Sequence, residues 1–136
     1  MTAIQEYFNQ YARLSTSGAY GDLTAFYAPS FIAAGPNGNQ VYKNDERFVE
    51  WLGQVHQFNL RTGLSDMTVL NVSSEAISKS YTMAKVTWSA SYKKPGTANI
   101  VFDMHYLLYH PTREAQIVMY IAHEDQEQVM KEKGLL

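Results

Sequence analysis

Apolar residues in the first half of the chain recur with the period of an α-helix, and their spacing predicts three helices. The first helix is broken at residues 15–18, which are Ser, Thr, Ser and Gly. The second has to end before Pro29, because proline disfavours helical backbone at the residue that precedes it. The third follows Asn44, whose side chain can cap a helix. The predicted inward-facing stripes are Ile4, Tyr7, Phe8, Tyr11 and Leu14 in the first helix, Leu23, Phe26 and Tyr27 in the second, and Phe48, Trp51, Leu52 and Val55 in the third.

From residue 66 onward, apolar and polar residues alternate with the period of a β-strand. Turns that contain proline separate several of the alternating segments, at residues 35–39, 94–96 and 110–113. The pattern predicts a short strand at residues 31–34, followed by strands at residues 66–73, 78–92, 99–109 and 115–122.

Helices first and consecutive hairpins afterwards are typical of an α+β fold, in which the helices pack on one face of an antiparallel sheet. Residues 124–133 are predicted as a short polar helix or a tail. No linker, repeat or low-complexity stretch interrupts the chain, so we expect residues 1–136 to form a single domain.

Two of the predicted strands, at residues 99–109 and 115–122, are apolar on both faces. The strand at residues 78–92 differs, because its apolar residues share one face. A sheet region that is apolar on both sides needs cover on both. The helices cover one face, so we expect a second copy of the chain to cover the other in an isologous homodimer. The single apolar face of the strand at residues 78–92 consists of Ala84, Val86, Trp88 and Ala90.

Charge and composition exclude several functional classes. The formal net charge is −2, and the lysines and arginines form no basic stripe, so a nucleic-acid-binding protein is excluded. Cysteine is absent, which excludes disulfides, cysteine catalysis and cysteine-ligated zinc. Residues 1–11 carry polar residues at helical spacing, so we expect no signal peptide, no membrane anchor and a cytoplasmic protein.

Asp103 and His105 are the residues whose chemistry stands out most. They lie two apart on a predicted strand, so their side chains point to the same face. A carboxylate beside an imidazole raises its basicity and can orient it, which suits general acid–base catalysis near neutral pH. Two orientations are open: either this pair faces the interior, or it lies outside and the more apolar face of the strand faces inward. That apolar face consists of Phe102, Met104, Tyr106 and Leu108.

Several short segments follow the pattern of one protein superfamily. They are residues 21–23 (Gly-Asp-Leu), 26–29 (Phe-Tyr-Ala-Pro), 35–38 (Gly-Pro-Asn-Gly), 84–88 (Ala-Lys-Val-Thr-Trp), 105–109 (His-Tyr-Leu-Leu-Tyr) and 133–136 (Lys-Gly-Leu-Leu). With these segments, and over nearly its whole length, the chain resembles the nuclear-transport-factor-2-like superfamily, within it the SnoaL-like polyketide cyclases and the ketosteroid isomerases. The resemblance implies a cystatin-like α+β cone, with N-terminal helices packed against a strongly curved antiparallel sheet. It also implies a homodimer and a pocket for a small apolar molecule.

The resemblance also implies roles for individual residues. His105 falls at a strand position where members carry an acid–base residue facing the pocket, with Asp103 as its orienting partner, which favours the interior orientation. Tyr11 lies near the isomerases' hydrogen-bond-donating tyrosine, although core packing explains it equally. The isomerases' carboxylate base has no counterpart, because residues 35 and 36 are Gly and Pro. The side chains expected to bind the ligand are Trp88, Tyr120, Tyr27, Trp51 and Leu107.

Two functions fit this pattern. The first is a cofactor-free acid–base enzyme of the cyclase, isomerase, dehydratase or epoxide-hydrolase type, acting on a small apolar oxygenated molecule. The second is a non-catalytic binding or accessory domain with the same pocket; a protein-interaction module would need an exposed apolar patch that remains after dimerisation. We expect no cofactor and no metal, because phosphate-binding motifs are absent and no third ligand accompanies Asp103 and His105.

Overall fold

The computed structural model describes residues 3–112 and 114–135, so Met1, Thr2, Arg113 in the last predicted turn, and Leu136 lie outside it. The N-terminal part is helical: α1 (Ala3–Ser17), α2 (Tyr20–Leu23) and a 3₁₀ turn (Thr24–Phe26). Helix α3 (Glu46–Thr62) interrupts the strands, and α4 (Gln126–Glu132) follows them. The six strands are β1 (Tyr27–Gly35), β2 (Gly38–Lys43), β3 (Leu64–Ala76), β4 (Tyr81–Tyr92), β5 (Ile100–Tyr109) and β6 (Gln116–Ala122).

The strands form one open sheet in the order β2-β1-β6-β5-β4-β3. All neighbouring strands are antiparallel except β1 and β6, which pair in parallel. The N-terminal helices pack on this sheet, so the predicted α+β fold is confirmed. None of the helices in the described part of the chain is long and apolar enough to cross a membrane.

One face of the sheet, called the inner face here, packs against α1 and α3. On β4 and β5 the inner face carries the buried residues Val86, Trp88 and Tyr106, each at most 3% exposed. The ring of Phe8 on α1 lies 4.7 Å from the ring of Tyr106, and the ring of Phe48 on α3 lies 5.0 Å from that of Tyr27 on β1. The helices therefore cover the face that the alternation in β4 predicts.

A bulge changes the alternation in β6. Ile117 pairs with Leu108 and Met119 pairs with Leu107, so Val118 is an extra residue on β6. Ile117, fully buried, consequently lies on the inner face together with Tyr120, which pairs with Tyr106. Strict alternation in the sequence predicts that Ile117 shares a face with Met119 and Ile121, and the bulge makes this prediction wrong.

Two further predictions about local structure need correction. The sequence predicts no strand at residues 38–43, because this segment contains few apolar residues. In the structure it forms β2, in which all residues but Tyr42 are exposed. The cap of α3 is Asp45 rather than Asn44: Asp45 Oδ1 accepts hydrogen bonds from the backbone N–H of Arg47 and Phe48. The amide of Asn44 instead donates to the carbonyl oxygens of Thr24 and Tyr27.

Replacing the helix cap tests this assignment. We expect Asp45→Ala to lower the free energy of unfolding by about 1 kcal/mol, because two backbone donors of α3 lose their acceptor. Asp45→Ser, which keeps a capping oxygen, serves as the control and should remain close to the unsubstituted protein. Urea denaturation measures both; equal losses in the two variants would contradict the capping role.

The buried hydrogen bond between Trp88 and Tyr106 provides a second test. Trp88 Nε1 donates to Tyr106 Oη over 3.1 Å inside the core. Tyr106→Phe leaves this N–H unpaired, and we expect it to lower the free energy of unfolding by about 1–3 kcal/mol. Tyr120→Phe is the matched control, because Tyr120 is only half-buried and its expected loss is smaller. A larger loss in Tyr120→Phe than in Tyr106→Phe would refute this account.

Candidate functional site

Within the part of the chain that the structure describes, the interior of the protein is a cluster of aromatic rings without a carboxylate or an imidazole. Among the described residues, the buried polar or charged ones are Thr82 and Ser89. The hydroxyls of Tyr11 and Tyr27 lie 2.5 Å apart and share a hydrogen bond. Burial raises the pKa of both phenols, and that of Tyr106, so these groups stay protonated at any physiological pH. These phenols can donate hydrogen bonds but do not exchange protons near neutral pH.

The structure brings three of the five predicted ligand-binding side chains together. Trp88 and Tyr27 are 1% and 5% exposed, and Tyr120 lies beside them on the inner face. Trp51 is 40% exposed and stacks on Tyr42 and Phe48 at the edge of the core. Leu107 pairs with Met83 and Met119 on the opposite side of the sheet. The predictions that place Trp51 and Leu107 in an interior pocket are therefore wrong.

Asp103 and His105 lie on the outer face of the sheet, which is the face that α1 and α3 leave uncovered. Asp103 pairs with Thr87 and His105 with Lys85, whereas Tyr106 pairs with the fully buried Ala84. The interior orientation of Asp103 and His105 is therefore wrong. The alternative, in which the more apolar side of β5 faces inward, is correct, because the aromatic core excludes an unpaired charge.

Polar side chains meet around these two residues in what we call the outer-face cluster: Lys85, Thr87, Asp103, His105 and His123. Asp103 accepts a 2.6 Å hydrogen bond from Thr87 Oγ1, and its other oxygen lies 3.9 Å from Lys85 Nζ. His105 Nδ1 lies 2.7 Å from His123 Nε2. Desolvation first, and then the charges of His123 and Lys85, lower the pKa of His105 below its usual value. Because the carboxylate of Asp103 is hydrogen-bonded to Thr87 and the ring of His105 to His123, Asp103 does not orient His105.

An open cavity of 680 Å³ lies at the N-terminal end of α1, between this helix, the 3₁₀ turn and the adjoining ends of β4, β5 and β6. We call it the α1 cavity. The hydroxyl of Tyr7 on α1 donates to the carbonyl oxygens of Phe26 and Ala115 over 2.9 and 3.3 Å. It thereby connects α1 to the 3₁₀ turn and to the start of β6. The apolar side chains that line the cavity include Ile4, Tyr7, Phe26, Leu108 and Ala115.

Polar groups occupy part of the same wall. His110 Nε2 lies 2.7 Å from Thr82 Oγ1, so the imidazole and the hydroxyl form a hydrogen bond. The carboxylate of Glu6 is paired with Arg13 over 3.3 Å, and Glu114 is exposed at the cavity. The α1 cavity thus combines an apolar wall with an imidazole and two carboxylates.

Sequence reasoning did not place His110, Thr82 or Glu114 in a site. One signal was present: the alternation that puts Ala84 and Trp88 on the inner face also puts Thr82 there. Thr82 pairs with Leu108, and His110 follows Leu108 by two residues on the same side, so the side chains of Thr82 and His110 meet diagonally. The contact of His110 with Thr82 depends on the strand register, which the local sequence pattern does not specify.

The described ranges 3–112 and 114–135 contain no group of three or more His, Asp or Glu side chains placed to hold a metal ion.

The predicted homodimer and the predicted cytoplasmic location stay predictions.

Solved structures that resemble this fold share little sequence with it. An NTF2-like protein with a cystatin-like fold from Novosphingobium aromaticivorans superposes with a TM-score of 0.70 at 15% identity, covering 88% of this chain and 78% of that one. A proposed scytalone dehydratase from the same species gives 0.60 at 13% identity, with 88% and 79% covered. A proposed polyketide cyclase from Xanthomonas campestris gives 0.54 at 12% identity, with 89% of each chain covered. At such identities the likeness shows the fold and leaves the activity open.

No curated protein sequence is significantly similar to the chain. The model of one family, described as "NTF2-like protein (DUF6841)", matches residues 2–125. This match covers most of the chain, and the helices on an open six-stranded sheet agree with it. The chain therefore belongs to this family of NTF2-like proteins, as its resemblance to the nuclear-transport-factor-2-like superfamily predicted.

Proposed function

We propose that the protein binds a small apolar molecule carrying an oxygen group, and that it does so in the α1 cavity. The observation that carries this proposal is the cavity itself. Its volume of 680 Å³ falls within the range of roughly 300–1,000 Å³ that is usual for small-molecule sites. Its wall is mostly hydrocarbon and aromatic, with few polar groups, which is the usual composition of such sites.

The lining determines which chemistry a ligand needs. An apolar body packs against Ile4, Phe26 and Leu108, and its transfer from water supplies most of the binding free energy. A ligand oxygen finds its hydrogen-bond partner at His110 or Thr82. Thr82 is only 7% exposed and is hydrogen-bonded to His110, so the half-buried imidazole is the more accessible of these two partners.

The chemistry of the aromatic core, which lies deeper in the fold than the α1 cavity, favours a binding function over a catalytic one. Its phenols are hydrogen-bonded to each other or to Trp88, and their raised pKa keeps them from acting as bases. Asp103 and His105 point away from it. Among the described residues, a reaction that needs proton transfer therefore finds no base in the aromatic core.

Acid–base catalysis in the α1 cavity is the second candidate function, and one observation favours it. His110 is an imidazole in the cavity wall, and its hydrogen bond to Thr82 fixes the orientation of the ring. Two similar structures are those of a proposed dehydratase and a proposed cyclase. In this version, His110 exchanges a proton with an oxygenated substrate that the apolar wall holds in place.

Filling the cavity tests the binding proposal. Ala25 lines the cavity and is exposed, so Ala25→Trp adds an indole there without disturbing the core. We expect 1-naphthol, an apolar ring system with one hydroxyl, to bind the unsubstituted protein and to bind Ala25→Trp about tenfold more weakly, a loss near 1.4 kcal/mol. Calorimetry measures the affinity, and NMR amide shifts at Phe26, Leu108 and His110 locate the probe.

Ala98→Trp is the matched control, since Ala98 is an exposed residue of the loop between β4 and β5. It should bind 1-naphthol as the unsubstituted protein does. Equal binding by Ala25→Trp and Ala98→Trp, or shifts that avoid the cavity, would rule out the α1 cavity as the site.

A separate variant distinguishes the two candidate functions. In a panel of β-hydroxy ketones, lactones and epoxides followed by NMR, His110→Gln should abolish any turnover and should still bind 1-naphthol through the apolar wall. Catalysis by His110 is refuted if the unsubstituted protein returns every compound unchanged, which favours the binding function, or if His110→Gln keeps full activity.

A further inference from the structure

Two histidines that the α1 cavity does not use, His105 and His123, meet on the outer face of the sheet. We propose that this pair chelates a divalent ion of the late first-row transition metals, such as Zn²⁺ or Ni²⁺. The site is independent of the proposed function, because it lies on the other face of the sheet from the residues that line the cavity.

The two rings are arranged edge to edge. Their planes differ by 6°, their centroids lie 4.8 Å apart, and His105 Nδ1 lies 2.7 Å from His123 Nε2. The centroid distance exceeds the nitrogen distance by close to two ring radii, so these two nitrogens point at one another. The strands produce this arrangement: His105 pairs with Ile121, and His123 follows two residues later on the same side of the sheet.

A metal ion requires the two rings both to separate and to tilt. Their nitrogens now point at one another, so for a tetrahedral ion each ring turns by about 35° to direct its lone pair at the ion. Zinc binds imidazole nitrogens at about 2.0–2.1 Å, so two ligands of a tetrahedral ion lie about 3.3 Å apart. The nitrogens of His105 and His123 therefore have to separate by about 0.6 Å beyond their present 2.7 Å. His123 is exposed just beyond the end of β6, so a rotation of its side chain can supply this shift.

The ion replaces the hydrogen bond between the two imidazoles, and the proton of that bond moves to the other nitrogen of its ring. Neighbouring side chains leave both rings available. Asp103, which could have held His105, accepts instead from Thr87 and lies near Lys85. The charge of Lys85 opposes a bound cation, and the carboxylate of Asp103 on the same face compensates it. His105 is half-buried and His123 exposed, so an ion reaches both from solvent.

The ligand type selects the metal. Imidazole nitrogens suit Zn²⁺, Cu²⁺ and Ni²⁺, whereas Mg²⁺ and Ca²⁺ require oxygen ligands. The described part of the chain has no group of three or more such ligands, so water completes the coordination shell beside the two nitrogens. The proposed site is therefore open and exchangeable.

Calorimetric titration of the untagged protein with ZnCl₂ and with NiCl₂ tests the proposal. We expect saturable binding of one ion per chain. His105→Gln and His123→Gln should each weaken it about tenfold or more, because each removes one of two ligands. His56→Gln is the matched control: His56 lies on α3, away from the outer face, and its loss should leave the affinity unchanged.

NMR titration of the unsubstituted protein provides a readout that does not depend on any variant folding. Zinc should shift the imidazole signals of His105 and His123 before those of His56 and His110. The proposal is overturned if neither ion binds saturably, if binding survives the combined His105→Gln and His123→Gln substitutions, or if the first signals to shift belong to other histidines.

Discussion

The antiparallel register between β4 and β5 is the constraint on which the rest of the structure depends. It places Trp88 opposite Phe102 and Ala84 opposite Tyr106 on the face that the helices cover. The same register places Lys85 opposite His105 and Thr87 opposite Asp103 on the other face. A shift of one residue would exchange the two faces and would put charged groups against an aromatic core, where a lone charge costs several kcal/mol or more. The same strand register therefore determines both the burial of the rings and the exposure of the polar groups.

This register also explains why the centre of the protein is closed. Rings from α1, β1, β4 and β5 meet within 4.7–6.4 Å of each other, and their hydroxyls and indole nitrogen satisfy one another inside the cluster. Such a core stabilises the fold through packing and paired hydrogen bonds. The α1 cavity lies outside this core, at the N-terminal end of α1. There the hydroxyl of Tyr7 connects the helix to Phe26 and Ala115 by hydrogen bonds.

The two faces of the sheet consequently offer different chemistry. The inner side ends at the α1 cavity, where an apolar wall meets an imidazole and two carboxylates, and this combination is the basis of the binding proposal. The outer side carries paired imidazoles beside a lysine and a carboxylate, which suits an ion. Both sites occur where the strands bring together residues that are far apart in sequence, since Thr82 and His110 are 28 residues apart and His105 and His123 are 18 apart.

The sequence by itself determined the class of the fold and the inward face of β4, because a helical stripe such as Ile4, Tyr7 and Phe8 and an alternating strand record their own periods locally. It did not determine the orientation of β5, which is apolar on both sides. The family resemblance favours the interior orientation of Asp103 and His105, whereas the register places both on the outer face. The sequence also did not reveal the bulge at Val118 or the contacts of Thr82 with His110 and of His105 with His123. These features depend on which strands pair and in which register, and that is set by the packing of the whole core rather than by any single segment.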